Sequence, residues 1–469
     1  MRRLLLLLVL GSVVNCGAPS GVNEELEQQI RTLAEQAITE EGIVGLSIGV
    51  ALDGEIVFQE GFGYIDEART VPATAETGYD AGSIGKQFTA AAILQLVERG
   101  ELSLDQSVHS IVPNIPSSFP DATIEQLLRH TSGFVSYEVD VYNAPADYLE
   151  PRYGEQLLTD TELLQGEALF PPGETFVYSN PGYVLLGLVV EAISGQRYDH
   201  YIRDELLADL EPHSMLVCDD RRPPEGSDRF ARTSDGIEKT PYLHMSSWGG
   251  SGSVFATVTD LLRWSKALND GAILEPASLQ AFRSPTRLQG RESSVEVPYG
   301  MAQRIGLLQG HPKVGHTGTF VGGSAALAYY PDDALEIVVL SNTYGGGAPH
   351  ARALETTIAK WMLEISDPDI RALGVPISDA QRQMIEGSYS QGDRYQASVE
   401  GDELVVSSDG EEVERLVHLG DLLFRHPERP EVFQRFALDG ARAGWWTYNE
   451  SGNFVEVLRR IDSPSPGVD

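Results

Sequence analysis

The stretch SIGKQFTAAAILQLVERG, from Ser83 to Gly100, constrains the fold more than any other. Ile84, Phe88, Ala91, Ala92, Leu94 and Val97 give a helix with little polar surface, and Gly100 is a stop signal. Such a helix is buried. Yet its first turn carries Lys86, where a cation opposes the helix dipole. No Asp or Glu between Ala81 and Val97 pairs with it locally. Lysine is scarce in this chain: only five of the 34 basic residues are lysine, and the others are arginine. Unlike arginine, lysine can give up its proton inside a protein. Desolvation lowers its pKa, so Lys86 is a candidate base.

With 469 residues the chain exceeds one small core, and a large domain plus a smaller one is expected. A net charge of −35 argues against nucleic acid and polyanionic partners and reads as a solvated acidic surface. The opening MRRLLLLLVLGSVVNCG has a basic start and an apolar run too short to span a bilayer, so residues 1–16 read as a signal peptide and the protein as exported. Val13-Val14-Asn15-Cys16 resembles a bacterial lipobox, which makes Cys16 a candidate lipidation site and a lipid anchor. The other cysteine, Cys218, reads as a small buried hydrophobe.

Residues 23–370 form the expected main domain. Asn23 caps an amphipathic helix with Leu26, Ile30, Leu33 and Ala37 on one face. GLSIGVALDGEIVFQEGFGYID reads as a hairpin about Asp53-Gly54. A helical, loop-rich section follows. A helix enters near Thr259-Asp260, strands then run through YGMAQRIGLL, VGHTGTFVGGSAALAYYP and LEIVVLSNT, and TTIAKWMLEIS closes the domain as a helix. This order predicts an α+β fold: one antiparallel sheet built from both ends of the domain, with a helical lobe inserted. Short strands and turns over 378–469 predict a small β-barrel or sandwich.

Ser83 stands three residues before Lys86, so the two side chains share a helix face. A serine hydroxyl becomes a nucleophile beside an unprotonated amine. At a helix start, backbone N–H groups can hold an oxyanion. Alone the S-x-x-K spacing is weak. Two later elements strengthen it: Tyr178-Ser179-Asn180 in FVYSNPGY and His316-Thr317-Gly318 in VGHTGTFVGG. Their order matches S-x-x-K, Y-x-N, [K/H]-T-G. On these motifs the chain resembles the serine β-lactamase and penicillin-binding-protein superfamily. The branch holding class C β-lactamases, D-Ala-D-Ala carboxypeptidases, D-aminopeptidases and esterases is the most similar. LLRHTSGF, FPPGETFVYSNPGYVLLG and VFATVTDLLRW agree, and the likeness covers about Ile43 to Asn342. The C-terminal segment resembles the lipocalin-like β-domains appended in this family.

The resemblance implies Ser83 as the acylated nucleophile, Lys86 as its base and Tyr178 as proton carrier to the leaving group. That last role calls for cations that lower the phenol pKa. It also implies that Asn180 bonds Lys86 and a substrate amide, and that His316-Thr317-Gly318 lies on the edge strand beside Ser83. His316 would tune Tyr178, Thr317 would hold a substrate carboxylate, and the N–H groups of Ser83 and Thr319 would form the oxyanion hole. His130 in LLRHTSG reads as structural. The implied function is hydrolysis of amide or ester bonds in a small-molecule or short-peptide substrate, D-Ala-D-Ala carboxypeptidase or D-aminopeptidase first. Esterase, β-lactamase and a non-turnover penicillin sensor are the alternatives. No metal or organic cofactor is implied, and the cell wall is a candidate partner. AGSIG is also a variant nucleophile elbow, but ATAETGYDAG before it is no apolar strand and an elbow gives Lys86 no work. The ten histidines show no H-E-x-x-H or H-x-H spacing, and the 69 acids single out no glycosidase pair.

Overall fold

A computed structural model describes residues 22–460, apart from 113, 116–118, 135–169, 211–213, 218–226, 234, 241–243, 289–295, 321, 346–350, 368, 391–393, 409, 428–431, 440–441 and 451–453. The signal-peptide and Cys16 expectations, and that for Cys218, lie outside the described residues.

The N-terminal helix α1 (Glu24–Thr39) is capped by Asn23, whose side chain accepts the Leu26 N–H. Strands β1 (Gly45–Leu52) and β2 (Glu55–Gly63) turn at Asp53 and Gly54, both at positive φ. Asp-Gly supplies the two left-handed residues that a tight hairpin requires. Four strands join them from the far end of the domain: β3 (Arg304–Leu308), β4 (His311–Phe320), β5 (Gly323–Tyr330) and β6 (Leu335–Ser341). The antiparallel order is β3-β4-β5-β6-β1-β2, so β1 is held between its hairpin partner and β6.

Both faces of this sheet are covered. Leu46, Ile48, Val50, Ile337 and Val339 face α1 and the closing helix α5 (Ala351–Met362). Val338 and Leu340 face the helical lobe, which contains α2 (Lys86–Glu98), α3 (Asn180–Ser194) and α4 (Val258–Asn269). Thr257 caps α4 in a reciprocal box with Asp260. In α2 every residue from Lys86 to Leu94 is buried, as is Leu96, and Phe88 stacks on Trp264 at 4.0 Å.

After the sheet, Ser378 and Gln381 form a capping box that starts a short helix, α6 (Asp379–Ile385). The sequence pattern predicts strands from this point. S-x-x-Q ahead of Met384 and Ile385 is the local signal for a helix. A closed barrel of eight strands follows between 387 and 460, with Tyr389, Leu404, Leu416, Phe424 and Phe436 in its core.

One buried ion pair braces β4 from behind. Lys313 donates to Glu355 of α5 at 2.6 Å, and Glu355 also accepts the Tyr330 hydroxyl at 2.8 Å. Lys313 is 2% exposed and Glu355 0%. Removing one partner strands the other charge away from water. Lys313→Met alone should therefore cost about 3–5 kcal/mol in urea unfolding, and Lys313→Met with Glu355→Leu should recover most of that loss.

Candidate active site

The chain enters α2 through a 3-10 turn, Gly82–Gly85, rather than directly at Ser83. Gly82 has φ +54, a conformation open to glycine. The turn is pressed against the sheet. β3 pairs with β4 from His311 to Gly315, and among the described residues no strand pairs that side of β4 from His316 onward. The expected edge strand is thus an edge only over its second half, and there it meets the Ser83 turn. A Cβ on Gly318 would lie 2.0 Å from the Ala81 carbonyl oxygen, and a Cβ on Gly82 would lie 3.2 Å from the Thr319 nitrogen. Glycine in the third motif therefore allows two backbones to touch.

Lys86 is wholly buried. Its Nζ lies 2.6 Å from the Ser251 carbonyl oxygen, 2.8 Å from Asn180 Oδ1 and 3.2 Å from Ser83 Oγ. It also lies over the Tyr178 and Tyr183 rings, at 4.9 and 5.5 Å. Burial holds its pKa well below that of an ordinary lysine, and the charge of Arg304 lowers it further. The neutral amine fits these neighbours. The Ser251 and Asn180 oxygens only accept, so they take its two N–H groups, and the lone pair is left for the Ser83 hydroxyl proton.

Tyr178 precedes the Ser179 cap of α3, whose Oγ accepts the Gly182 N–H. Asn180 opens that helix, which places Tyr178 and Asn180 opposite Lys86. The Tyr178 hydroxyl is buried beside the Ser83 side chain. Burial pushes its pKa up to about 12, although Arg304 and the Ser83 side chain both pull it down. The expectation of a lowered phenol pKa is thereby reversed: desolvation outweighs the cation, and Tyr178 holds its proton at neutral pH.

His316 is buried, and its Nδ1–H donates to its neighbour's carbonyl, that of Thr317, at 2.6 Å. Its ring stands 6.1 Å from that of Tyr178, so it touches Tyr178 by proximity and makes no direct bond to it. Thr317 is half-buried and Thr319 exposed, on the open part of β4.

The sequence motifs do not mark Ser251, Arg304 or Tyr299, and His130 reads from sequence as structural. Ser251 contributes only a carbonyl, which no side-chain motif reveals. Its glycine-rich run was the available signal: a Cβ on Gly250 would meet the Tyr183 carbonyl at 2.5 Å, and one on Gly85 would meet Gly252 at 3.1 Å. Arg304, on β3 opposite Gly315, is 9% exposed and lies 5.8 and 5.9 Å from the Tyr178 and Tyr299 rings. His130 and Tyr299 are buried against the same rings. Among the described residues no group of three or more His, Cys, Asp or Glu side chains converges on a metal site.

The Beta-lactamase family model matches residues 30–359, most of the main domain. The chain belongs to the β-lactamase family, a family of serine hydrolases. It is 29% identical over 309 residues to penicillin-binding protein 4* of Bacillus subtilis, covering 62% of this chain and 66% of that protein. The chain spans between 38 and 66% of the length of the curated relatives it matches. In fold it is similar to the octameric penicillin-binding protein homologue from Pyrococcus abyssi, with TM-score 0.63, 23% identity, 93% of this chain covered and 98% of that one. It is also similar to D-amino acid amidase from Ochrobactrum anthropi SV3, solved with D-phenylalanine, with TM-score 0.62, 19% identity, 73% of this chain and 100% of that one.

Lys86→Arg should lower kcat/KM nearly as far as Lys86→Ala, by about 10²–10⁴-fold, because a guanidinium stays protonated and cannot take the serine proton. Because the Lys86 pKa is depressed, the reactive amine is neutral above the depressed value and becomes protonated as pH falls through it. Activity should therefore fall on the acid side, with no basic decline below the Tyr178 pKa of about 12. A pH profile of kcat/KM checks both limbs.

Proposed function

We propose that the protein hydrolyses amide bonds of short peptides or D-amino acid amides through a Ser83 acyl-enzyme, as a D-Ala-D-Ala carboxypeptidase or D-aminopeptidase does. The observation that carries this reading is the Lys86 amine, dry, flanked by two obligate acceptors and 3.2 Å from Ser83 Oγ. Lys86 takes the Ser83 proton as Oγ bonds to the substrate carbonyl carbon. The N–H groups of Ser83 and Thr319 hold the oxyanion on adjoining backbones. Tyr178 gives its proton to the departing amine nitrogen and is reprotonated from Lys86. Water then adds to the acyl carbon as Lys86 takes one of its protons, the bond from that carbon to Oγ breaks, and Lys86 passes the proton to Oγ.

Charge favours a substrate with an anionic end. Arg304 bears on Lys86, Tyr178, His130 and His316. Thr317 on the open strand would share a substrate carboxylate with that cation. The names of the relatives, penicillin-binding proteins and a D-amino acid amidase, support the same class.

Intact mass after brief incubation with benzylpenicillin, followed by D-Ala-D-Ala peptides and D-amino acid amides, tests the reading. A Ser83 adduct missing from Ser83→Ala, together with release of a D-amino acid or ammonia, is the expected result. Turnover of short esters alone would overturn it in favour of an esterase, and rapid penicillin consumption alone in favour of a β-lactamase. A lasting adduct with no turnover would leave a sensor.

A further inference from the structure

A line of hydrogen bonds runs behind Tyr178 and joins the second motif to the third. The Ser179 N–H donates to His130 Nδ1 at 3.0 Å. His130 Nε2 lies 3.2 Å from the Tyr299 hydroxyl, which lies 3.0 Å from His316 Nε2. His316 Nδ1 reaches the Thr317 carbonyl at 2.6 Å. Burial keeps both rings neutral, and the two ends then fix every proton. An amide N–H can only donate, so His130 carries its proton on Nε2 and gives it to Tyr299. A carbonyl can only accept, so His316 carries its proton on Nδ1 and accepts from Tyr299. The line therefore runs one way, from Ser179 to Thr317, through two neutral imidazoles of opposite tautomer and one phenol. All three rings are buried.

Two further observations set this line apart from ordinary core packing. His130 has φ +56, just past the short helix Ile124–Leu128. Glycine usually occupies that left-handed position, so the histidine is kept there at a backbone cost. The Tyr178 ring also lies on the His130 ring, with centroids 4.3 Å apart. Tyr178 is thus held twice, by its ring and by the N–H of the residue that follows it.

We propose that His130 and Tyr299 are positioning residues that aim the Tyr178 hydroxyl by tying the loop before α3 to β4. This rests on the Ser83 hydrolase reading. Proton delivery matters for a poor leaving group and little for a nitrophenolate. Tyr299→Phe keeps the ring and removes the one hydroxyl that joins the histidines. It should lower kcat for D-alanine p-nitroanilide about tenfold or more, leave KM near its starting value, and change p-nitrophenyl acetate hydrolysis by less than about threefold. A merely structural role would lower both substrates together. A common fall, or no fall in either, would overturn the proposal. The nitrogen spectrum of 15N-histidine-labelled protein gives a second readout. His130 should carry its proton on Nε2 and His316 on Nδ1 at neutral pH, and the same tautomer in both rings, or a charged ring, would also overturn it. If wild-type protein turned over neither substrate, the hydrolase reading would fail, and the tautomers would still decide whether the line exists.

Discussion

The Lys86 side chain lies in a place that rejects its charge, and much of the domain is arranged around that fact. It is wholly buried, and among the described residues the atoms bonded to it are a hydroxyl, an amide oxygen and a peptide carbonyl. An ammonium ion there would lose hydration without gaining a counter-ion, so the neutral amine is the stable form. The arrangement needs a helix sheathed on all sides, which explains the alanine run after Phe88. Its neighbours must also be polar enough to bind two N–H groups yet carry no charge. The same dryness acts on Tyr178 in the opposite direction and keeps the phenol protonated. One environment thus sets an empty base beside a loaded acid.

Close approach of backbones is the second requirement. Ser83, Thr319 and Ser251 lie on three separate segments that must come together within a few ångströms. Glycines at 82, 85, 250, 252 and 318 remove the side chains that would hold them apart. The Lys313–Glu355 pair then fixes β4 from its far side, three residues before His316, so the strand is braced against α5 while its other face meets the reacting serine.

Much of this was legible in the residues. The hairpin at Asp53-Gly54, the Asn23 cap and the split origin of the sheet follow from local turn chemistry and period, and S-x-x-K, Y-x-N and H-T-G mark side chains that chemistry requires. Arg304, Tyr299 and His130 were less visible, because their importance comes from what they meet across the fold. Nothing in YGMAQRIG says that its tyrosine and arginine end behind Tyr178. The carbonyl of Ser251 has no side-chain signature at all. The sign of the Tyr178 shift was also hidden, since it depends on how burial compares with a cation placed by tertiary structure. The short helix before the barrel had a readable capping box, masked by the β-rich composition around it.

The position of β1 bears on how such a chain becomes folded. Leu46 lies opposite Ser341, so a strand made among the first residues is completed by one made after the whole helical lobe. Contacts this distant along the chain slow the search for the native state. Until β6 arrives, the N-terminal hairpin presents Leu46, Ile48 and Val50 on an unpaired edge, a surface prone to wrong pairing. During synthesis the domain cannot mature from its beginning toward its end. Its first strands must wait for its last.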